Sequence, residues 1–499
     1  MTLMIGDAPL SLDDIAAILT APPALALGQA ALERMARSRA VVDTLAGGTE
    51  AIYGINTGFG RLAQQRIAAA DLRMLQRNLI HSHAAGVGAP LAPDVVRLVL
   101  VLKAASLAAG ASGVRPVVAE TLLALYRADL LPVVPSQGSV GASGDLAPLA
   151  HLSLVLLGEG EVWQGGARVP AGPALAAAGI APLELAAKEG LALINGTQVS
   201  TALALAGWLA IRRVFEAGLL AGAMSVEAVR GSHRPFDARI HALRGQPGQI
   251  TVAARLRALL DGSALHASHQ GPHCDRVQDP YSLRCQPQVM GAVLDSLEHA
   301  GRVLQTEANG VTDNPLVLQD PDEIVSGGNF HAEPVAIAAD LLAIAAAEIG
   351  ALSERRMAML IDTSISGLPA FLVRAPGLNS GFMIAHVTAA ALASENKSLA
   401  HPASVDSLPT SANQEDHVSM ATFAARRLGP LAANVARILA IELLAAAQAF
   451  EFQRPLTSSP AMEALHTAIR NVAPARDADR VFSPEIEAVA ELIETAALG

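Results

Sequence analysis

Residues 138–150 have the sequence Gly-Ser-Val-Gly-Ala-Ser-Gly-Asp-Leu-Ala-Pro-Leu-Ala and join a glycine-rich loop to an apolar run of helical composition. At the centre of the loop lie Ala142, Ser143 and Gly144, three residues of small bulk. The loop fits neither the Gly-x-Ser-x-Gly elbow of hydrolases nor a phosphate-binding loop, which ends in Gly-Lys-Ser/Thr. A flexible connection is the commonest role of such a cluster.

The same tripeptide has a second chemical option, because glycine lets backbone atoms approach closely. Attack of the Gly144 nitrogen on the carbonyl carbon of Ala142 closes a five-membered ring and releases water. Loss of the Ser143 hydroxyl as another water leaves an exocyclic methylidene group. The product, 4-methylideneimidazol-5-one, is an electrophile that the chain makes from itself, so we expect no external cofactor.

Six further segments accompany the loop in a fixed order along the chain. They cover residues 53–60, 82–86, 195–198, 278–284, 327–331 and 411–417. With residues 142–144 they resemble the aromatic amino acid ammonia-lyases over nearly the whole chain, and most closely the members of that family that act on histidine. The resemblance implies an autocatalytically formed methylideneimidazolone and a homotetramer in which each active site takes residues from several subunits.

Composition limits the class of protein. The chain has 499 residues, of which 52% are hydrophobic but only 3% aromatic, so alanine, leucine and valine dominate and favour helix. A net charge of −11 with no long basic run argues against a nucleic-acid partner. The apolar segment 191–211 is long enough to span a membrane, but polar residues such as Asn195 and Gln198 interrupt it. We therefore expect buried core there and no membrane partner.

Two sequence features bear on the cellular location of the protein, the N-terminal residues and the cysteine content. The first residues lack a basic region and include Asp7 and Asp13, which argues against a signal peptide. Cys274 and Cys285 are too few for the disulfide framework of a small secreted protein. These features predict a cytoplasmic protein.

The hydrophobic pattern changes along the chain. Short helical patterns and Gly/Pro-rich turns fill about the first 200 residues, and long helical patterns follow, among them 287–304, 334–361 and 417–450. A kink is expected at Gly429-Pro430. The sequence predicts a mainly α fold, with an N-terminal mixed domain over 1–200 that carries the cyclised loop and an extended helical bundle over 201–499. The resemblance implies the same arrangement.

The resemblance also assigns catalytic roles. Tyr53 would be the base that removes the β-hydrogen, and Tyr281 would lie near the ring and assist the elimination. A free tyrosine has a pKa of about 10, so nearby positive charge or donated hydrogen bonds would have to lower the pKa of Tyr53. Without the resemblance, Tyr53 is equally a packed aromatic residue whose hydroxyl is satisfied.

Four further positions match family residues that hold the ring or the substrate. Arg284 would bind the substrate carboxylate in a bidentate manner. Asn195 and Gln278 would hydrogen-bond the ring or the substrate backbone, and Phe330 would line the ring. Taken alone, Arg284 could equally be a structural ion-pair residue, and the others ordinary buried residues.

Substrate choice depends on His83 and Glu415. Ser82-His83 is the pair typical of the histidine-acting members, and Glu415 is a carboxylate where relatives acting on phenylalanine or tyrosine carry a neutral amide. A carboxylate can accept a hydrogen bond from an imidazole N–H, although the pair Glu415-Asp416 could also be a solvated turn. The expected reaction converts L-histidine to trans-urocanate and ammonia. The alternatives are a tyrosine or phenylalanine ammonia-lyase or aminomutase with the same prosthetic group, and a non-catalytic helical assembly protein.

One group of residues resembles a metal site. His266, His269, His273 and Cys274 lie close together, but their spacing matches no common zinc motif, so no metal is expected. This loop departs from the family pattern, as do His81 and His386. Any of them that faces the pocket would shift the substrate range.

Overall fold

The computed structural model describes residues 2–46, 48, 51–58, 60, 64–269 and 277–498. These residues form mainly helices with a few short strands, which confirms the mainly α class. In chain order the helices are α1 Leu12–Thr20, α2 Gln29–Ala46, α3 Leu72–His83, α4 Pro93–Ala108, α5 Pro116–Arg127, α6 Leu146–Leu156, α7 Ala171–Ala177, α8 Glu189–Ile194, α9 Gln198–Ala228, α10 Ala238–Arg244, α11 Pro247–Leu260, α12 Ala264–Ala267, α13 Tyr281–Arg284, α14 Gln286–Ala308, α15 Glu333–Ile361, α16 Thr363–Ser366, α17 Met383–Leu399, α18 Ala421–Arg426, α19 Leu428–Gln453, α20 Pro460–Val472 and α21 Ser483–Glu494.

The strands are short and pair in small sheets. They are β1 Leu3–Ile5, β2 Leu25–Leu27, β3 Val87–Pro90, β4 Leu131–Pro132, β5 Pro135–Gln137, β6 Glu161–Gln164, β7 Ala167–Pro170, β8 Leu316–Leu318 and β9 Glu323–Val325. Strands β1 and β2 pair in parallel, with Leu3 opposite Leu25. The other pairs, β3–β5, β4–β6, β6–β7 and β8–β9, are antiparallel.

The chain divides into two compact units. Unit 1 comprises Met1–Ala206, Gly301–Asp340 and Pro402–Arg426, and unit 2 comprises Gly207–Ala300, Leu341–His401 and Arg427–Gly499. All strands of the described residues belong to unit 1. Unit 1 thus joins an N-terminal segment to two later ones, while the domain boundary at residue 200 stays a prediction.

Unit 2 is built around α19, most of whose side chains are buried. Small residues let the neighbouring helices come close. A Cβ added at Gly218 of α9 would lie 3.1 Å from Ile349 of α15 and 3.2 Å from Met290 of α14. The absence of a side chain at Gly218 therefore lets α9 pack closely against α14 and α15.

Two of the expected long helices have nearly the predicted bounds. Helix α14 contains the apolar spacing that starts at Pro287, and α15 covers 334–361. The third pattern is broken at Arg427, between α18 and α19, rather than kinked at Gly429-Pro430. Pro430 lies in the first turn of α19, where its missing N–H is tolerated, and its ring would clash with a carbonyl one turn earlier. The preceding helix therefore ends before it.

Within the part of the chain that the structure describes, two helical segments are long and apolar enough to cross a membrane by length and composition, Glu333–Ile361 and Ala421–Gln453. The most apolar windows of these segments are 61% and 78% buried inside the protein. The segment 191–211 is instead divided, because α8 ends at Ile194 and α9 begins at Gln198.

A buried ion pair lies within unit 2. Glu442 of α19 is fully buried and accepts hydrogen bonds from Arg356 Nη2 at 2.8 Å, Ser225 Oγ at 2.6 Å and Ser353 Oγ at 2.6 Å. The carboxylate therefore accepts from Nε and Nη2 of the guanidinium and from two hydroxyls that the core would otherwise leave without an acceptor.

Replacing Glu442 with alanine should strongly destabilise the protein, because it leaves the buried Arg356 charge uncompensated. We expect a loss of about 3–5 kcal/mol in the free energy of unfolding, measured by denaturant unfolding. The matched control is Glu487→Ala, which removes a half-exposed partner of Arg437 and should cost about 0–1 kcal/mol. Equal effects of the two variants would contradict the assignment of a structural role to Glu442.

Candidate functional site

The glycine-rich loop is held by Asp145, which is fully buried at the start of α6. One carboxylate oxygen accepts hydrogen bonds from Ser139 Oγ at 2.9 Å and Thr422 Oγ1 at 2.7 Å. The other accepts from the backbone N and Oγ of Ser200, at 2.7 Å and 2.9 Å. One side chain thus joins the loop to the first turn of α9 and to α18.

Gly144 is required by the backbone that surrounds it. Its φ of +73° is unfavourable for other residues, and a Cβ there would lie 2.1 Å from the carbonyl oxygen of Gly196. The next residue, Asp145, donates its backbone N–H to the same oxygen at 2.8 Å. The loop and the 195–197 segment therefore contact each other through their backbones, and residues without bulky side chains permit this approach.

The residues just before the tripeptide are held by two later segments of unit 1. The N–H of Met420 donates to the Val140 carbonyl at 2.8 Å, and Ser419 Oγ donates to the Gly141 carbonyl at 2.9 Å. The N–H of Ala332, which precedes α15, donates to the Gly141 carbonyl at 3.4 Å. The position of the loop thus depends on segments about 190 and 280 residues away in sequence.

Ser143 faces a cavity of about 570 Å³ in unit 1. Four other predicted site residues line it, namely Tyr53, His83, Asn195 and Glu415. Leucine and isoleucine side chains from α3 and α8 form much of the remaining wall. The structure therefore brings together five predicted residues that lie in five widely separated segments of the sequence.

Glu415 is the most strongly held acceptor in this cavity. Its Oε1 accepts from Ser143 Oγ at 2.8 Å, and its Oε2 accepts from Thr410 Oγ1 at 2.6 Å and Ser411 Oγ at 2.9 Å. Burial alone would raise the pKa of Glu415, but these three hydrogen bonds, with a smaller electrostatic contribution from His83, outweigh it and lower the pKa. The side chain is therefore an ionised acceptor at neutral pH and not the solvated turn that its acidic neighbour suggested.

His83 is the last residue of α3, and its ring is fixed by that helix. Its Nδ1 lies 2.9 Å from the Leu79 carbonyl, which can only accept, so Nδ1 carries the proton and Nε2 is left as an acceptor. Burial lowers the pKa of His83, against opposing effects of the Leu79 hydrogen bond and the charge of Glu415. The imidazole is accordingly neutral at neutral pH.

Tyr53 lines the same cavity, but its surroundings act on the phenol in the opposite direction to the one a base requires. Burial raises the pKa of Tyr53, a hydrogen bond with the Gly60 backbone lowers it, and the negative charge of Glu415 raises it further. The net direction is upward. The described chain therefore does not supply the lowering of the pKa that the sequence argument required.

Asn195 lies in the break between α8 and α9, with its side chain directed at the loop. Its Nδ2 donates to the Ser143 carbonyl at 3.3 Å, whereas its buried Oδ1 has no hydrogen-bond partner among the described residues. Its backbone carbonyl accepts from Lys103 Nζ at 2.7 Å. The break between the two helices thus presents one amide side chain to the tripeptide.

Lys103 is a residue that the sequence argument missed. It is fully buried in α4 and donates from Nζ to the carbonyls of Ala192 and Asn195. Burial lowers the pKa of Lys103 to about 7. The sequence did contain a signal for Lys103, because this lysine lies inside the mostly apolar segment 98–108. A lysine is rarely fully buried without a partner.

Three other predicted residues form a second group, in unit 2. Gln278 and Arg284 line a separate cavity of about 680 Å³. The amide oxygen of Gln278 accepts from Arg284 Nη1 at 3.0 Å, and the guanidinium lies 4.6 Å from the centre of the Tyr281 ring. Tyr281 itself is 70% exposed. The guanidinium and the exposed phenol are therefore grouped with each other at the surface of this unit.

Phe330 and the residues that depart from the family pattern lie outside the lining of the Ser143 cavity, as far as the described residues go. Phe330 is half-buried in the segment before α15. His81 contacts Glu159, with 2.7 Å between Nε2 and Oε2, and His386 contacts Glu354 at 2.9 Å. His266 stacks on His233, while His273 and Cys274 lie outside the described residues.

Comparison with known proteins gives the family. The model of a family described as aromatic amino acid lyase matches residues 10–471. The chain belongs to the aromatic amino acid lyase family. This lyase is 69% identical over 484 residues to a histidine ammonia-lyase of Rhodospirillum rubrum, a match that covers 97% of this chain and 94% of the relative.

Solved structures agree with that placement. The crystal structure of histidine ammonia-lyase from Trypanosoma cruzi is 43% identical, with a TM-score of 0.91, and the match covers 100% of this chain and 94% of the other. A tyrosine aminomutase from Streptomyces globisporus is 36% identical, with a TM-score of 0.95 over 100% and 98% of the two chains. This aromatic amino acid lyase is thus a carbon–nitrogen lyase that acts on an amino acid.

Proposed function

We propose that this lyase converts L-histidine to trans-urocanate and ammonia, the first step of histidine degradation. The observation that carries the proposal is the ionised carboxylate of Glu415, which shares one cavity with neutral His83 and with Ser143. A carboxylate can accept a hydrogen bond from an imidazole N–H, whereas a phenyl ring has no donor to offer it. The names of the relatives at 69% and 43% identity support the same substrate.

The residues present fit a methylideneimidazolone formed from Ala142, Ser143 and Gly144. Only glycine fits at position 144, Ala142 is small and buried, and the Asn195 amide already donates to the Ser143 carbonyl, an oxygen that cyclisation retains. When formed, the group supplies an electrophile that activates the substrate amine as a leaving group. Asn195 would hold that carbonyl oxygen and draw electron density from the ring.

The remaining side chains of the cavity would bind and deprotonate the substrate. Glu415 would accept the imidazole N–H, and His83, with Nε2 as an acceptor, would face the same ligand. Tyr53 would accept the β-proton as its phenolate. Because burial raises the pKa of Tyr53, only a small phenolate fraction exists at neutral pH, and this fraction grows as the pH rises.

The second group of predicted residues would act between subunits of a homotetramer. Arg284 would bind the substrate carboxylate with Gln278 beside it, and Tyr281 would reach the ring. Phe330, which is not part of this group and lies in the segment before α15, would also reach the ring. The exposure of Tyr281 supports this proposal, because an exposed aromatic side chain next to an arginine is typical of an interface or a binding site. A cytoplasmic enzyme with neither nucleic acid nor membrane as partner completes the proposal.

A second candidate function is a lyase or aminomutase that acts on tyrosine. The observation in its favour is the tyrosine aminomutase at 36% identity, which has the same fold over the full chain. Glu415 separates the candidates, because a phenol ring offers this carboxylate at most its terminal hydroxyl and not a ring N–H.

The Ser143→Ala variant should remain folded and lose activity, since it lacks the hydroxyl that must leave. The intact mass of the wild type should be lower by two waters than the sequence requires, and the variant should not show this deficit. The control is Ser296→Ala, which removes an exposed hydroxyl bonded to its own helix. A wild-type rate in Ser143→Ala would rule out the prosthetic group.

The Tyr53→Phe variant should lower the rate by roughly 10²–10⁴-fold, the contribution of a positioned acid–base group. In the wild type the rate should rise as the pH increases above neutrality. The raised pKa keeps Tyr53 mostly protonated at neutral pH, and the reactive phenolate forms only at higher pH. The matched control is Tyr126→Phe, which removes another buried phenol hydroxyl, one that donates a hydrogen bond to the Pro23 carbonyl. A flat pH profile together with an active Tyr53→Phe enzyme would exclude Tyr53 as the base.

The Glu415→Gln variant should lose far more activity on histidine than on phenylalanine or tyrosine. A polar group that must be satisfied discriminates strongly, whereas apolar pockets separate similar rings by only about 1–3 kcal/mol. The measurement is kcat/KM for all three amino acids in wild type and variant. If the wild type prefers tyrosine, or if all three values fall equally, the tyrosine-acting candidate replaces this one.

A further inference from the structure

A cluster of potential metal ligands lies in unit 1, outside the lining of the Ser143 cavity. His331, Glu333 and His417 each place one ligand atom within 4.8 Å of the others. Imidazole nitrogen and carboxylate oxygen are the ligands that zinc and its first-row neighbours prefer. We propose that this cluster binds one divalent transition-metal ion of the zinc class.

The hydrogen bonding of His331 suits a ligand. Its Nε2 lies 3.2 Å from the His417 carbonyl, which can only accept, so Nε2 donates and the Nδ1 lone pair is free for a metal. Metal-binding histidines usually donate their second ring N–H to a carbonyl or a carboxylate in this way. The two imidazole rings are nearly parallel, at 7°, with 5.8 Å between their centres.

Glu333 gives an independent reason to expect a cation. Its Oε2 is buried and has no hydrogen-bond partner among the described residues. A buried carboxylate oxygen without a partner is costly, and a bound cation removes that cost. The carboxylate that lacks a partner and the histidine with a free lone pair lie in the same cluster.

The geometry needs only a small closure. Donors on one zinc ion lie about 2.0–2.1 Å from it, so two of them are at most about 4 Å apart. The present span of up to 4.8 Å would therefore have to shorten by about 1 Å on binding, and His417 is the exposed member of the cluster. Three protein ligands leave the fourth tetrahedral position to water.

The position of the cluster gives the ion a structural task. His331 and Glu333 flank Ala332, and His417 lies three residues before Met420. The backbone N–H groups of Ala332 and Met420 donate hydrogen bonds to the carbonyls of Gly141 and Val140. An ion at the cluster would join the two segments that hold the glycine-rich loop. Binding to the folded state alone stabilises it, so the ion should raise the unfolding temperature. This inference does not depend on the substrate of the enzyme.

The test uses full-length, tag-free protein that has been treated with a chelator and dialysed. Zn²⁺ is titrated by calorimetry and Co²⁺ by its visible absorption. The wild type should bind one ion per chain at this site, and Zn²⁺ should raise its unfolding temperature. Glu333→Gln and His417→Gln should each weaken binding by at least about tenfold, the size of effect seen even for outer-sphere partners.

The control is His269→Gln, in the other histidine-rich segment, which should bind like the wild type. Equal unfolding temperatures of all four proteins in chelator would show that the variants are folded. The proposal is wrong if the wild type binds no ion. It is equally wrong if Glu333→Gln and His417→Gln bind the ion as tightly as the wild type, whatever His269→Gln does.

Discussion

The carboxylate of Asp145 is the constraint on which the site depends. It is fully buried, and its four hydrogen bonds come from the loop itself, from the start of α9 and from α18. A buried carboxylate is costly unless its hydrogen-bond partners are in place. The loop, the start of α9 and α18 must therefore take up their positions together. With Asp145 in place, Gly144 meets Gly196, and Ser143 is directed into the cavity. The chemistry of the tripeptide therefore rests on an ordinary requirement of polar burial.

The sequence predicted the fold class and the long helices where local periodicity carries the information. The pattern after Pro287 and the apolar run 334–361 correspond to α14 and α15, because a buried helix face repeats every three to four residues. The break at Arg427 was misplaced by two residues. Proline acts on the turn before it, and the pattern alone does not show where that turn ends.

The site residues were predictable by resemblance, but their surroundings were not. Tyr53, His83, Asn195 and Glu415 line one cavity with Ser143, as the motifs suggested. The direction of the Tyr53 pKa could not be read from the motif, since burial and the charge of Glu415 are properties of the folded chain. For the same reason Lys103, whose partners are backbone carbonyls about 90 residues away, carried no motif of its own.

The hydrogen bond from Ser143 to Glu415 has a consequence for the order of events in the life of the enzyme. The hydroxyl that Glu415 holds at 2.8 Å is the one that the proposed cyclisation expels. Before that step, the newly folded chain occupies the Oε1 lone pair with its own side chain. After it, the carboxylate keeps only the hydroxyls of Thr410 and Ser411, and the Oε1 lone pair that Ser143 had occupied becomes vacant. Readiness to react and readiness to recognise an imidazole would thus arise together, through the departure of a single hydroxyl group.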